Sequence, residues 1–240
     1  MKLTFLGTRG NIEARTRRHR RHTALEVAYR GRRVMVDCGE DWKDSLEEVA
    51  PRAVVVTHAH PDHAWGLEEG APCPVYATEE AWEEMESYPI RERRKVVPRS
   101  PVEVEGITFE AFTLEHSTRA PAVGYRIGAG RVTVFYAPDV VYLHQREEAL
   151  HGARLYVGDG ATLTRSMVRK QGDNLIGHTP VRTQLTWCRK EGVPEMVVTH
   201  CGSEIVEGDE RTLGAHLRAM ARERGVEAAI AHDGMERVLR

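Results

Sequence analysis

The chain has little that would place it in a membrane, a disulfide scaffold or a repeat array. Its longest uncharged apolar runs, such as Ala53 to Val56 and Met196 to Val198, are far shorter than the roughly 20 residues that cross a bilayer, which excludes a membrane-spanning helix. Cys38, Cys73, Cys188 and Cys201 are scattered and form no CxxC pair, so neither a disulfide framework nor a structural zinc knuckle is expected. The segment Met1 to Gly7 lacks a long apolar stretch and a cleavage site; it reads as a first strand rather than a signal peptide, and a cytoplasmic location is expected. The net charge of −2 gives no general affinity for nucleic acid. No repeat or low-complexity tract is evident beyond a cluster of six arginines between Arg9 and Arg21.

What remains is a globular composition, 41% hydrophobic and 29% charged. Single cores stop growing only near about 250–300 residues, so residues 1–240 are expected to form one domain. Strands are predicted at Lys2–Leu6, Ala24–Tyr29, Arg33–Val36, Ala53–Val56, Val75–Ala77, Val102–Val104 and Ile107–Leu114. Further strands are predicted at Gly124–Ile127, Arg131–Tyr136, Leu155–Val157 and Met196–Thr199, and helices at Glu79–Ser87, Thr179–Glu191 and Glu210–Arg224. Gly31 and the Gly128-Ala129-Gly130 run mark two hairpins. The pattern is mixed α/β and fits two sheets covered by outer helices, although periodicity alone also allows other α/β and α+β folds.

Directly after the apolar strand ending at Val56 comes Thr57-His58-Ala59-His60-Pro61-Asp62-His63, with three imidazoles and a carboxylate in six residues. Imidazole and carboxylate are the usual ligands of zinc and related divalent ions, and ligands this close must bind from a loop that folds back on itself. His58 and His60 can face one ion while Asp62 and His63 face a second. A histidine-rich surface loop is the competing structural explanation.

This HxHxDH loop resembles the signature of the metallo-β-lactamase superfamily, and the likeness continues down nearly the whole chain. Leu114-Glu115-His116-Ser117 followed by Gly124-Tyr125-Arg126-Ile127 resembles the third motif of its phosphodiesterase branch, which implies that His116 completes the first metal site. Tyr136-Ala137-Pro138-Asp139 resembles the fourth motif, with Pro138 where glycine is usual, and implies that Asp139 bridges two ions. Asp159 is the rival carboxylate, and a cap or turn role is the alternative for Asp139. Met196 to Ser203 resembles the last ligand motif and implies His200 on the second site, with Cys201 packing beside it. Gly177-His178-Thr179 resembles the Gly-His-Ser/Thr segment of RNase Z-type endonucleases and of the cyclic phosphodiesterase of phosphonate degradation, where the histidine acts on substrate. For His178 a packing or capping role stands beside the catalytic one, and His19, His22, His144, His151, His216 and His232 are not expected to touch metal.

The resemblance therefore implies an αββα sandwich holding two divalent ions, zinc first and manganese or iron as alternatives. Asp62 would orient a water and accept its proton, and His178 would hydrogen-bond to the phosphate or the leaving oxygen. A phosphodiester is the expected substrate, either a nucleotide-like diester or an RNA end, and a homo-oligomer is compatible with the family. No insertion is long enough for the arm with which RNase Z enzymes grip the tRNA elbow, and the structural Cys/His cluster of the phosphonate-pathway enzyme is missing; whole tRNA is not expected to be bound. The Arg9–Arg21 cluster either holds substrate phosphates or serves as a solvated or salt-bridged partner of the acidic Glu79–Glu86 helix. A thioester or lactone hydrolase, and a catalytically inactive metal-binding or nucleic-acid-binding protein, are the alternatives that the motifs leave open.

Overall fold

The computed structural model describes residues 1–240. In chain order, its strands begin with β1 (Lys2–Gly7), β2 (Ala24–Tyr29), β3 (Arg32–Val36), β4 (Ala53–Val55), β5 (Val75–Ala77) and β6 (Arg93–Lys95). They continue with β7 (Val102–Val104), β8 (Ile107–Leu114), β9 (Ala122–Ala129), β10 (Val132–Ala137) and β11 (Leu155–Asp159). The short β12 (Arg169–Gln171) and β13 (Asn174–Ile176) precede β14 (Glu195–Thr199), β15 (Glu227–Ile230) and β16 (Met235–Val238). The helices are α1 (Leu46–Val49), α2 (Pro61–Ala64), α3 (Glu79–Glu84), α4 (Arg146–Leu150), α5 (Val181–Glu191), α6 (Ser203–Val206) and α7 (Glu210–Arg222). No helix is long and apolar enough to cross a membrane.

Two seven-stranded sheets result, ordered β16-β1-β2-β3-β4-β5-β6 and β15-β14-β11-β10-β9-β8-β7, with β12 and β13 as a separate hairpin. Period-two alternation explains why they stack. Val34 and Val36 face the inter-sheet core while Met35 between them faces the outer helices; likewise Val134 and Tyr136 point inward and Phe135 outward. Both faces of the central strands are thus buried, and their sequences read as nearly continuous apolar runs. Three apolar layers follow: one between the sheets, one under α1 and α3, and one under α5 and α7. This is the expected αββα order.

Local chemistry sets the element ends. Arg30 and Gly31 both take left-handed φ, 50° and 77°, in the two-residue turn joining β2 to β3, as such hairpins require. Thr78 accepts a hydrogen bond from Ala81 N at the start of α3, and Asp209 accepts one from Thr212 N at the start of α7. Strand boundaries lie within about two residues of those expected from the sequence. The hairpin β12–β13 and the short elements β6, α1, α2, α4 and α6 carry no clear periodic signal and were not expected.

Candidate metal centre

β3 and β4 in one sheet, and β8, β10, β11 and β14 in the other, all direct their C-terminal ends at one cleft, the position where α/β sheets commonly hold ligands. β4 runs into the HxHxDH loop, whose first helical turn begins with Pro61 at the position where a missing N–H is harmless. His60 O takes the N–H groups of His63 and Ala64, both at 2.9 Å, and this folds the loop back on itself. At the other strand ends, His116 follows β8, Asp139 follows β10, Asp159 closes β11 and His200 follows β14. His200 adopts a left-handed φ of 50°, which turns its ring out of the strand direction and back over the loop.

Three imidazole nitrogens converge in the first set. His58 Nε2 lies 3.0 Å from His60 Nδ1, which lies 3.3 Å from His116 Nε2. Ligand nitrogens at ordinary zinc distances on a tetrahedron stand about 3.3 Å apart. In the second set, Asp62 Oδ2 lies 2.9 Å from His200 Nε2 and 3.4 Å from His63 Nε2. Asp139 faces both sets: its Oδ2 is 2.7 Å from His63 Nε2 and 3.6 Å from His58 Nε2.

Buried polar atoms ordinarily find partners. Here His63 Nε2, Asp139 Oδ1 and His200 Nδ1 are buried without a hydrogen bond of acceptable geometry. A bound cation would satisfy such atoms, and the nitrogen and carboxylate donor set suits zinc or a related ion. The residues present therefore fit two divalent ions: His58, His60 and His116 can hold one, and Asp62, His63, Asp139 and His200 the other. Asp139, Asp159, His178 and His200 form a third, overlapping group of potential ligand atoms.

Hydrogen bonds behind these residues fix ring orientation, as is usual around metal ligands. Asp37, with φ 65°, accepts from Thr57 N and Thr57 Oγ1, both at 2.8 Å, from His63 Nδ1 at 2.9 Å and from the Tyr136 hydroxyl at 3.3 Å. Thr57 Oγ1 in turn lies 3.0 Å from His58 Nδ1, and His116 Nδ1 is 3.1 Å from Gly177 O. Each contact occupies the far nitrogen of its imidazole and leaves the near nitrogen for the cleft. The motif reading passed over Asp37. Its signal was a lone aspartate between the buried strand Val34–Val36 and Cys38-Gly39, a slot where an unpaired carboxylate would be costly.

Charge follows the geometry. Burial opposes the charged forms of all these groups, and it holds His58 well below the ordinary imidazole range, with the positive character of His63 adding to the effect. His60 is pushed down to about 4 by burial and by His116. The carboxyls of Asp62 and Asp139 lie well below the usual carboxylate range: burial works against this, but the imidazoles of His63 and His200 outweigh it. His58, His60, Asp62 and Asp139 thus favour the neutral imidazole and ionised carboxylate forms that bind a cation. Against burial, Asp62, Asp37 and Asp139 raise His63, and Asp139 and Asp62 raise His200, so these two would release protons to a bound ion.

His178 stands across the cleft with its Nδ1 2.8 Å from Asp159 Oδ2 and 3.2 Å from Asp139 Oδ1. Burial disfavours its charge, yet Asp159 and Asp139 together push its pKa up to about 11. Asp159 also accepts from Val140 N at 3.1 Å and Ala161 N at 2.8 Å, so it sits behind His178, while Asp139 faces both ligand sets. The cleft encloses about 570 Å³, and Gly10, Asn11, Ile12, Ala161, Thr162, Arg165, Met167, Gly202, Ser203 and Glu204 complete its walls; the Glu204 carboxylate is occupied by Thr162 Oγ1 and Leu163 N.

The arginine cluster is largely committed elsewhere. Arg9 is almost fully buried and pairs with Asp41, Arg15 reaches the same carboxylate at 3.0 Å, and Arg18 meets Glu210 at 2.8 Å. Arg21 lies over the Trp42 ring at 4.5 Å. The acidic partners are Asp41 and Glu210, and the Glu79–Glu86 segment takes no part. Cys201 is buried in apolar packing under α6, as expected.

Residues 32–201 match the family model described as the β-lactamase superfamily domain, a span that contains every candidate ligand. The chain belongs to the β-lactamase superfamily. Among curated relatives of this superfamily member, ribonuclease Z of Methanopyrus kandleri is 29% identical over 175 residues, covering 64% of the chain and 61% of that protein. The chain thus matches less than two thirds of that relative's length. Among solved structures, zinc-bound PqqB from Methylobacterium extorquens superposes with a TM-score of 0.75 at 18% identity over 100% of both chains. Human tRNase Z, short form (ELAC1), gives 0.67 at 19%, again over 100% of both. These likenesses establish the metallo-β-lactamase fold for this superfamily member, and with the His/Asp clusters they support a metal-dependent hydrolase.

Proposed function

We propose that the chain is a dinuclear metal-dependent phosphodiesterase acting on a nucleotide-like diester or an RNA end. The observation that carries this reading is the pairing of two converging ligand sets around Asp139 with a carboxylate-backed histidine, His178, on the facing wall of the same cleft. In this reading His58, His60 and His116 would hold one ion and Asp62, His63, Asp139 and His200 the other. Bound there, the ions, zinc by preference, would supply Lewis acidity and a nucleophilic water at neutral pH. The Asp62 carboxylate, which the surrounding imidazoles keep ionised, would orient the attacking water and accept its proton. His178, held at Nδ1 by Asp159, presents Nε2 to a phosphoryl or leaving oxygen and donates a proton there. The similarity to ribonuclease Z of Methanopyrus kandleri and of Methanococcus maripaludis supports a phosphodiester over other esters.

Hydrolysis of bis-p-nitrophenyl phosphate, a thioester and a lactone by metal-stripped protein reconstituted with zinc or manganese tests this assignment. Metal-restored diester turnover that falls about 10²–10⁴-fold in His178→Gln, a residue outside both proposed ligand sets, with metal content retained, is the expected result. Preferential turnover of the thioester or lactone would overturn the diesterase reading and leave a hydrolase of another ester class.

A further inference from the structure

The hairpin formed by β12 and β13 is the one element at the cleft that the motifs leave without a role. Its two feet are tied to the candidate centre. Met167 N donates to His178 O at 3.2 Å, and Gly177 N donates to His116 O at 2.9 Å while Gly177 O lies 3.1 Å from His116 Nδ1. Gly177, at φ 103°, is where the feet pass closest: a Cβ there would stand 2.3 Å from Met167 O. A neighbouring loop joins it where Thr118 Oγ1 donates to Gln171 Oε1 at 3.2 Å. The hairpin therefore stands as a wall of the cleft, anchored to a candidate ligand, His116, and to His178 across the cleft.

This wall is basic. Arg165 lines the cleft itself, and Arg169 and Lys170 follow on β12. Arg169 lies two residues from Gln171, on the strand face that meets the loop carrying Arg119. All four cations are exposed and none pairs with a carboxylate; the only acid in the hairpin is Asp173, at its tip. Some exposed arginines elsewhere find acids, as Arg32 does with Glu105, Arg33 with Glu26 and Arg99 with Glu148, and others such as Arg30 and Arg52 do not; what distinguishes the hairpin is that its unpaired cations adjoin the cleft. In a chain of net charge −2, unpaired cations gathered beside the cleft leave a local positive field.

We propose that Arg165, Arg169 and Lys170, supported by Arg119, form a rail that binds the phosphates of a single-stranded nucleic acid flanking the linkage to be cut. The proposal rests on the diesterase reading for the identity of that linkage, but its own content is binding. It places the phosphate-holding role on a hairpin whose cations have no carboxylate partners, whereas in the Arg9–Arg21 cluster Arg9, Arg15 and Arg18 are paired with Asp41 and Glu210. Arginine and lysine on an exposed ribbon track a flexible backbone without reading base sequence.

Fluorescence anisotropy of a labelled phosphorothioate oligouridine, titrated with the metal-loaded protein at several salt concentrations, tests the rail without requiring turnover. Each phosphate neutralised on a single strand adds about 0.7 to the slope of log affinity against log salt. The triple variant Arg165→Gln/Arg169→Gln/Lys170→Gln is expected to reduce that slope by about 2 and to weaken binding at low salt roughly tenfold. A paired control, Arg17→Gln/Arg20→Gln, removes exposed charge from the first loop and is expected to leave the slope in place. An unchanged slope in the triple variant, an equal loss in the control, or binding independent of salt in the wild type would each overturn the rail. Lys170→Glu should weaken binding more than Lys170→Gln does, which separates charge from misfolding. Absent diester hydrolysis combined with rail-dependent binding would instead count against the diesterase reading alone.

Discussion

Asp37 shows how much of a metal centre lies in residues that need not touch the metal. It gathers four hydrogen bonds at full burial, from the backbone and hydroxyl of Thr57, the ring of His63 and the phenol of Tyr136. Its replacement by alanine leaves several buried donors unpaired at once, each of which costs about 1–3 kcal/mol. Asp37→Ala is therefore expected to lower the urea midpoint of unfolding and to weaken metal affinity about 10–100-fold, measured by competition with a chromogenic chelator. Retention of wild-type affinity would show that the His63 ring is oriented by packing alone. The identity of this residue was open to sequence reasoning, but its role was not: an aspartate after a strand is equally a turn residue until the chain brings His63 against it.

At the scale of elements, the loop after β3 and the loop after β4 are interlocked at the backbone. Cys38 N donates to His63 O at 2.7 Å, and a Cβ on Gly39 would stand 2.1 Å from Asp62 O. Only glycine allows these segments to approach so closely, and the approach sets the height of Asp62 and His63 beneath the cleft. Gly39→Ala is expected to destabilise the fold by about 1–3 kcal/mol, as overpacking does, and to reduce bound metal below the wild-type stoichiometry. Metal analysis after dialysis decides the matter, since full metal content with an unchanged melting temperature would mean that the loops yield without moving the ligands. The HxHxDH spacing announced itself because ligands within six residues must share a loop. The hairpin of β12 and β13 did not, because its strands have three residues each, are mostly exposed and carry no alternation.

Across the whole molecule, the first loop joins the two sheets. Gly10 N donates to Cys201 O and Cys201 N to Thr8 O, while the N–H groups of Arg20 and Arg21 reach Asp233 near the far end of the chain. A buried relay holds this junction: Thr8 Oγ1 donates to Asp233 Oδ1 at 2.7 Å and lies 2.8 Å from His19 Nδ1. With the threonine proton committed to Asp233, His19 must be the donor in that second contact. Burial and the Arg18 charge push the His19 pKa down to about 4 from the usual 6.5. The unfolded chain then binds the proton more readily than the folded one between those values, so stability is intact above about 6.5 and declines as pH falls towards 4. His19→Gln should flatten this acid slope in urea unfolding compared at pH 7 and pH 4.5. An identical slope in the variant would assign the acid sensitivity to other groups, the cleft histidines first among them.

The sequence by itself determined the ingredients: which strands are apolar on both faces, where glycines permit left-handed turns, and which histidines and aspartates follow strand ends at ligand spacing. Those are properties of neighbours along the chain, set by local sterics and by period-two burial, and they survive without knowing what lies across the sheet. The tertiary structure alone decided partnership. It put Asp139 between both sets of imidazoles and Asp159 behind His178, and it gave Arg9 to Asp41 rather than to the cleft. It also raised an unpaired basic hairpin beside the site. Charge and hydrogen-bond pairing depend on distances of a few ångströms between residues up to more than two hundred positions apart, as between Thr8 and Asp233. Only the folded chain sets such distances.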